Sequence, residues 1–128
     1  MDFSFTKKEK LKSKKLIEQL FAEGNHLNNF PLKLIYLGVE FDDEAKVKTM
    51  VIAPKKSFKS AVKRNRIKRL LREAYRLNKH AVFNNIEGNY AFAILYLGKE
   101  MPDYQFIDEK MKGLLDKFIK KTAHEQAS

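Results

Sequence analysis

Leu16, Ile17, Leu20 and Phe21 fall at the spacing of one helix face, and Gly24 follows as a stop, so a short helix is expected over residues 12–23. Residues 1–15 are polar, with six lysines against Asp2 and Glu9, and read as a loosely ordered arm. Residues 25–29 read as a polar turn. Over residues 30–40 apolar side chains occupy both parities, Leu32, Leu34 and Tyr36 on one and Ile35, Leu37 and Val39 on the other. That pattern fits a long strand covered on both faces. Asp42, Asp43 and Glu44 then form a hairpin tip, read as a solvated acidic turn rather than a metal site. In residues 46–53, Val47, Thr49 and Val51 alternate with Lys48 and Met50, giving a second strand closed by Pro54. Ser60 is an N-cap for a helix running to about residue 79. Asn84, Asn85, Gly88 and Asn89 mark a loop. Residues 90–97 are an unbroken apolar run, as in a buried central strand, and 98–102 are a turn. Asp103 caps a last helix with Tyr104, Ile107, Met111, Leu114, Leu115, Phe118 and Ile119 on one face, and the chain after residue 121 is expected to fray. Helix, strand, strand, helix, strand, helix gives an α+β fold, one domain over residues 1–128 with helices packed on a single sheet.

Composition narrows the class. With 128 residues, 44% of them hydrophobic, and ten Phe and five Tyr, the chain can bury a core and is not a disordered basic tail. It has no cysteine, which excludes disulfides and thiolate metal sites. No apolar run reaches the roughly 20 residues of a membrane span, and no signal-peptide block is present, so a cytoplasmic setting is expected.

The charge is placed rather than spread. Residues 55–79 contain eleven Lys or Arg and one acid, Glu73, so the whole net charge of +10 sits in that stretch. On a helix stepping about 100° per residue, with Leu70 set at zero, Leu77, Ala74, Ile67 and Leu71 fall within roughly −20° to 100° and form the apolar stripe. Lys68, Arg72, Asn65, Arg76 and Arg69 fall on the opposite face, with Arg64 and Arg66 on its shoulders. Like charges at i,i+4, such as Lys68/Arg72 and Arg72/Arg76, cost a free helix a few tenths of a kcal/mol each. Core packing gives no reason to accept that cost, whereas a phosphate backbone does. Arginine adds a planar fork that grips phosphate with two hydrogen bonds. The partner implied is a nucleic acid.

Pro54-Lys55-Lys56, followed by the run from Ala61 through Lys63-Arg64-Asn65-Arg66-Ile67-Lys68-Arg69 to Arg72-Glu73-Ala74, closely resembles the signature of the bacterial ribonuclease P protein component. The order of elements agrees across nearly the whole chain. The resemblance implies a ribosomal protein S5 domain 2-like fold, a single mixed sheet with a left-handed βαβ crossover, and more strands than the pattern shows, so that residues 30–40 are bent or split. It implies an accessory subunit of a catalytic RNA that removes the 5′ leader of precursor tRNA, with magnesium held mainly by that RNA. By position, Lys55, Lys56, Lys63, Arg64, Asn65, Arg66, Lys68, Arg69, Arg72 and Arg76 would contact RNA. Ile17, Phe21 and Tyr36 would line a cleft for the single-stranded leader, where a base can stack on Phe21 or Tyr36. The sequence departs from the family at Lys59-Ser60 and Met50, regions where a glycine is usual, and Ile17 stands where an aromatic is more common.

Other functions compete. A structural RNA binder would share the basic helix and need no leader cleft. A protein-only nuclease would need clustered carboxylates. His26, His80 and His124 have no recognisable partners in sequence, the five glycines form no phosphate loop, and no catalytic residue, metal ligand or small-molecule substrate is expected on the chain. A membrane-surface helix is disfavoured because the apolar stripe is needed for the core.

Overall fold

The structure of the protein, a computed structural model, describes residues 4–127. A turn of 3-10 helix at Lys7–Glu9 precedes α1 (Lys14–Glu23), β1 (Asn25–Asn29), β2 (Leu32–Gly38), β3 (Val47–Ile52), α2 (Ala61–Phe83), β4 (Tyr90–Tyr96) and α3 (Tyr104–Ala127). The four strands form one mixed sheet in the order β1-β2-β4-β3. β1 and β4 each pair antiparallel with β2, and β3 runs parallel to β4 through the crossover helix α2.

Alternation along each strand sorts the side chains into two cores. Leu32, Leu34 and Tyr36 of β2 and Phe92, Ile94 and Tyr96 of β4 face α2 and α3. Ile35, Ala91 and Ala93 face α1, where the two small alanines let Leu20 sit fully buried. Phe118 of α3 anchors the larger core, with edge-to-face contacts to Phe92 at 4.8 Å, Tyr36 at 5.0 Å and Tyr90 at 5.1 Å between ring centroids.

The caps expected at Ser60 and Asp103 are present, and α1 starts at Lys14 rather than residue 12, behind a cap at Ser13 that was not expected. Ser13 Oγ accepts from Leu16 N–H, Ser60 Oγ from Lys63 N–H, and Asp103 Oδ1 from Phe106 N–H. Gly24 closes α1 for a steric reason. A Cβ there would stand 2.4 Å from the Leu20 carbonyl oxygen and 2.8 Å from Ile35 Cγ2.

Other expectations are corrected. Residues 25–29 are strand β1, not a turn; β2 supplies its backbone partners, and α3 secures it through Asn29 Nδ2 donating to the Lys110 carbonyl and Lys117 Nζ donating to the Asn28 carbonyl. A polar sequence suits an edge strand, where burial is slight. The turn between β1 and β2 contains the cis Phe30–Pro31 peptide, and residues 32–38 are one unbroken strand, so the additional strand is β1 and not a split of residues 30–40. Asp42–Glu44 is not a hairpin tip, because β4 lies between β2 and β3. α3 does not end near residue 121 but continues to Ala127, with Thr122 buried and its hydroxyl donating to the Phe118 carbonyl.

A last correction concerns the arm. Met1–Phe3 fall outside the described residues, but residues 4–15 are tied down. Leu11 is buried and its N–H donates to the Thr49 carbonyl, while Lys10 bridges Thr49, so the arm covers the open edge of β3. Lys79 of α2 is buried, with Nζ 2.5 Å from Glu9 Oε1, a further bond to the Ser4 carbonyl, and the Phe83 ring beneath it. Removing either member strands the charge of the other, and the penalty is greater when the stranded ion is the more deeply buried one; Lys79 is 4% exposed and Glu9 14%. Glu9→Ala, which strands the lysine, is expected to lower stability by about 3 kcal/mol. Lys79→Met, which leaves the more accessible Glu9 still hydrogen-bonded to Thr6, is expected to cost less than Glu9→Ala. Urea unfolding of the two variants checks the order.

Candidate nucleic-acid interface

α2 spans 23 residues, longer than expected, because Val82 adds a further buried turn beyond Lys79. Its buried stripe is Ile67, Leu71, Ala74, Tyr75 and Val82. The stripe is therefore turned past Leu71 toward Tyr75 and Val82, and Leu77, expected inside, is 40% exposed. Tyr75 replaces it against Phe92 and Phe5. The rotation leaves the cationic face intact. Lys63, Asn65, Arg66, Arg69 and Arg72 are exposed, as are Lys55, Lys56 and Lys59 in the preceding loop, and Lys68 is half-buried. Val62, 79% exposed, floors a shallow hollow of about 440 Å³ walled by Asn65, Arg66 and Arg69.

Two members of the expected set have other duties. Arg64 turns away from the exposed face, and its Nη1 donates to the Phe58 and Lys59 carbonyls at 2.8 and 2.7 Å, closing the loop onto the first turn of α2. Arg76 forms an ion pair with Glu73 at 2.6 Å, and that hydrogen bond raises the guanidinium pKa above its ordinary value. Glu73 thus spends its charge on one arginine and leaves the others of the face unopposed on the helix.

Sequence reasoning missed a continuation of this face. Arg72 lines a hollow of about 190 Å³ together with Lys10 and Lys12 of the arm and Met50 and Val51 of β3. The cationic surface therefore passes around the β3 edge to the α1 side of the sheet. Lys10 and Lys12 were visible as basic residues, but their packing on β3 depends on long-range contacts with no local signal.

On the α1 side the expected cleft residues do not all meet. Ile17 is half-buried against the sheet, and Phe21 projects from α1 with 43% exposure. Tyr36 lies on the other face of the sheet, 1% exposed between Tyr90 and Phe118, and burial pushes its hydroxyl pKa up to about 12. The strand position facing α1 is Ile35. A shift of one residue along a strand reverses the side-chain direction, which is why the assignment of Tyr36 to the cleft fails. α1 packs on β2 and β4. Leu37, Met50, Ile52 and Leu95 remain half-buried on that face, an apolar floor beside Phe21.

Among the described residues no three His, Asp or Glu side chains converge as a metal site. His26, His80 and His124 lie on β1, α2 and α3. No described helix is long and apolar enough to cross a membrane.

The chain matches the Ribonuclease P family over residues 5–119. It belongs to the ribonuclease P protein family. The ribonuclease P protein component of Porphyromonas gingivalis is 36% identical over 115 residues, covering 86% of this chain and 82% of that protein. That of Chlorobium phaeobacteroides is 32% identical over 125 residues, covering 88% and 86%. The fold matches the ribonuclease P protein of Staphylococcus aureus with a TM-score of 0.68 at 16% identity, covering 86% of this chain and 94% of that one. For the protein from Thermotoga maritima the TM-score is 0.67 at 24% identity, with 85% and 96% covered.

The two kinds of arginine on α2 separate by experiment. Arg64→Ala loses the loop closure and is expected to cost about 1–2 kcal/mol in urea unfolding. Arg69→Ala should unfold within about 0.5 kcal/mol of the parent. If the exposed face contacts phosphate, Arg69→Ala lowers the slope of log affinity against log salt for an RNA ligand by about one.

Proposed function

We propose that the chain is the protein subunit of a bacterial ribonuclease P holoenzyme, binding its catalytic RNA and the 5′ leader of precursor tRNA and assisting endonucleolytic removal of that leader. The observation that carries this reading is the face of α2, where Asn65, Arg66, Arg69 and Arg72 stand exposed together in a chain that belongs to the ribonuclease P protein family. Lys55, Lys56 and Lys63 extend the RNA contact toward the loop, and Lys10 and Lys12 extend it around β3. A ridge of fixed cations replaces condensed counterions on RNA, and the affinity so gained falls steeply with salt.

The leader would lie in the trough beside α1. Phe21 offers an exposed ring for one unpaired base, Ile17 shapes the wall, and Leu37, Met50, Ile52 and Leu95 form the floor. The lysines at the β3 edge would hold its phosphates. The protein's part in the reaction is positioning. By fixing the leader on one side and the RNA on the other, it holds the scissile linkage in place and lowers repulsion between two polyanions. In this reading proton transfer and nucleophile activation belong to the RNA and its magnesium, and the protein contributes position and charge. The setting is the cytoplasm, where precursor tRNA is made.

Reconstitution tests the proposal. Adding the purified chain to ribonuclease P RNA should stimulate precursor-tRNA cleavage at low magnesium. Tight binding without stimulation would leave only a structural RNA binder, and cleavage by the chain alone would replace the proposal with a protein nuclease.

The leader trough makes a finer claim. Phe21→Ala should weaken binding of precursor tRNA by the holoenzyme about tenfold, one stacked base, and leave mature tRNA unchanged. Tyr36→Ala should instead cost about 3–5 kcal/mol of stability, as for any large buried aromatic. Equal losses for both tRNAs with folded Phe21→Ala would remove the leader from this trough.

A further inference from the structure

A second aromatic surface lies away from both regions described above. Phe30, in the turn between β1 and β2, is 71% exposed, and Phe106, in the first turn of α3, is 39% exposed. Together with Pro31 and Leu97 they line a groove of about 630 Å³ at the end of the sheet, with Lys99 and Lys110 at its margins. Lys110 Nζ stands 5.6 Å from the Phe106 ring centroid. Two large aromatics left in water carry a cost that core packing does not explain. The lining has two lysines against one carboxylate, Glu100, whose backbone carbonyl is taken by the Tyr96 hydroxyl.

Position indicates the occupant. Tyr96, also in the groove lining, touches Phe58 with ring centroids 6.1 Å apart. Phe58 belongs to the loop carrying Lys55, Lys56 and Lys59, the loop that Arg64 fastens to α2. Tyr96 and Phe58 pack in the core shared with α2 and α3, whereas Phe21 and its trough belong to the α1 side. β3 runs parallel to β4 with Ile52 beside Leu95, so the groove and the basic loop leave the sheet at the same end, whereas the leader trough lies on its opposite face. Rings beside lysine ammonium groups suit a base with its phosphate: the ring faces stack and the ammonium groups neutralise. An apolar peptide would gain nothing from the lysines of the loop.

We propose that this groove takes an unpaired nucleobase of the catalytic RNA, flipped out next to the strand that α2 engages, with Phe30 and Phe106 as its stacking platform. This rests on the RNA-binding reading above, and the test separates the two. Binding of ribonuclease P RNA to the full-length protein is measured over a range of salt. The Phe30→Ala/Phe106→Ala variant should bind about tenfold or more weakly, with a salt slope close to the parent's, because Lys99 and Lys110, which neutralise the phosphate, are retained. Phe30→Leu/Phe106→Leu should bind as weakly, and Phe30→Tyr/Phe106→Tyr should restore affinity. Both positions are substantially exposed, and thermal unfolding confirms that the variants fold. Parent-like affinity of the alanine variant, with Arg69→Ala still impaired, overturns the groove and leaves the α2 reading standing. Parent-like affinity of all of these variants, Arg69→Ala included, overturns both. Rescue by leucine shows apolar docking rather than stacking and overturns the nucleobase. A dimer of the free protein that the alanine variant dissociates assigns the groove to a second copy of the chain and also overturns it.

Discussion

The burial of one stripe of α2 makes the rest of the molecule possible. Eleven cations within 25 residues repel one another, and no acid other than Glu73 relieves them within that stretch. Each like-charged i,i+4 pair costs a few tenths of a kcal/mol. Against this, Ile67, Leu71, Tyr75 and Val82 are completely buried, and burying each such side chain contributes about 1.5–3 kcal/mol. Packing exceeds repulsion several-fold, so the sheet can hold a helix that would be poorly stable alone. The helix that carries the cationic face is therefore already folded when an RNA arrives, which removes the backbone part of the entropy lost on binding.

The same stripe sets the shape of the surface around it. Rotating the core side toward Tyr75 brings Arg64 over the loop at Phe58 and carries Arg72 to the β3 edge, where the arm delivers Lys10 and Lys12. The buried Glu9–Lys79 pair holds that arm in place. A charge distribution that is local in sequence thus becomes a continuous band across two faces of the sheet. Apolar surfaces flank the band, the trough beside Phe21 and the groove at Phe30 and Phe106. Charge sets attraction and its salt dependence, while aromatic surface favours unpaired bases over duplex.

Much of this was legible in the chain itself. The caps at Ser60 and Asp103, the amphipathic α2, the apolar run of β4 and the Arg64-Asn65-Arg66 signature each depend on neighbours within a few residues, so periodicity and hydrogen-bonding chemistry reveal them. The family followed from that signature. Residues 25–29 were not legible, because their strand character comes from β2 and α3 and not from their own side chains. The helical end of the chain was misread for a similar reason: Thr122 is held by the core it packs into.

The sequence by itself determined the class of partner, because net charge and helical period are local quantities that no fold can alter. Only tertiary structure decided which residues meet that partner. Arg64 became a loop fastener, Tyr36 turned to the opposite core, and Lys10 and Lys12 joined the surface. Each outcome depends on strand order, strand parity or a contact between distant segments. A one-residue change of register reverses a side chain, and the placement of an arm depends on contacts roughly 40–70 residues away, so neither is written in a local pattern.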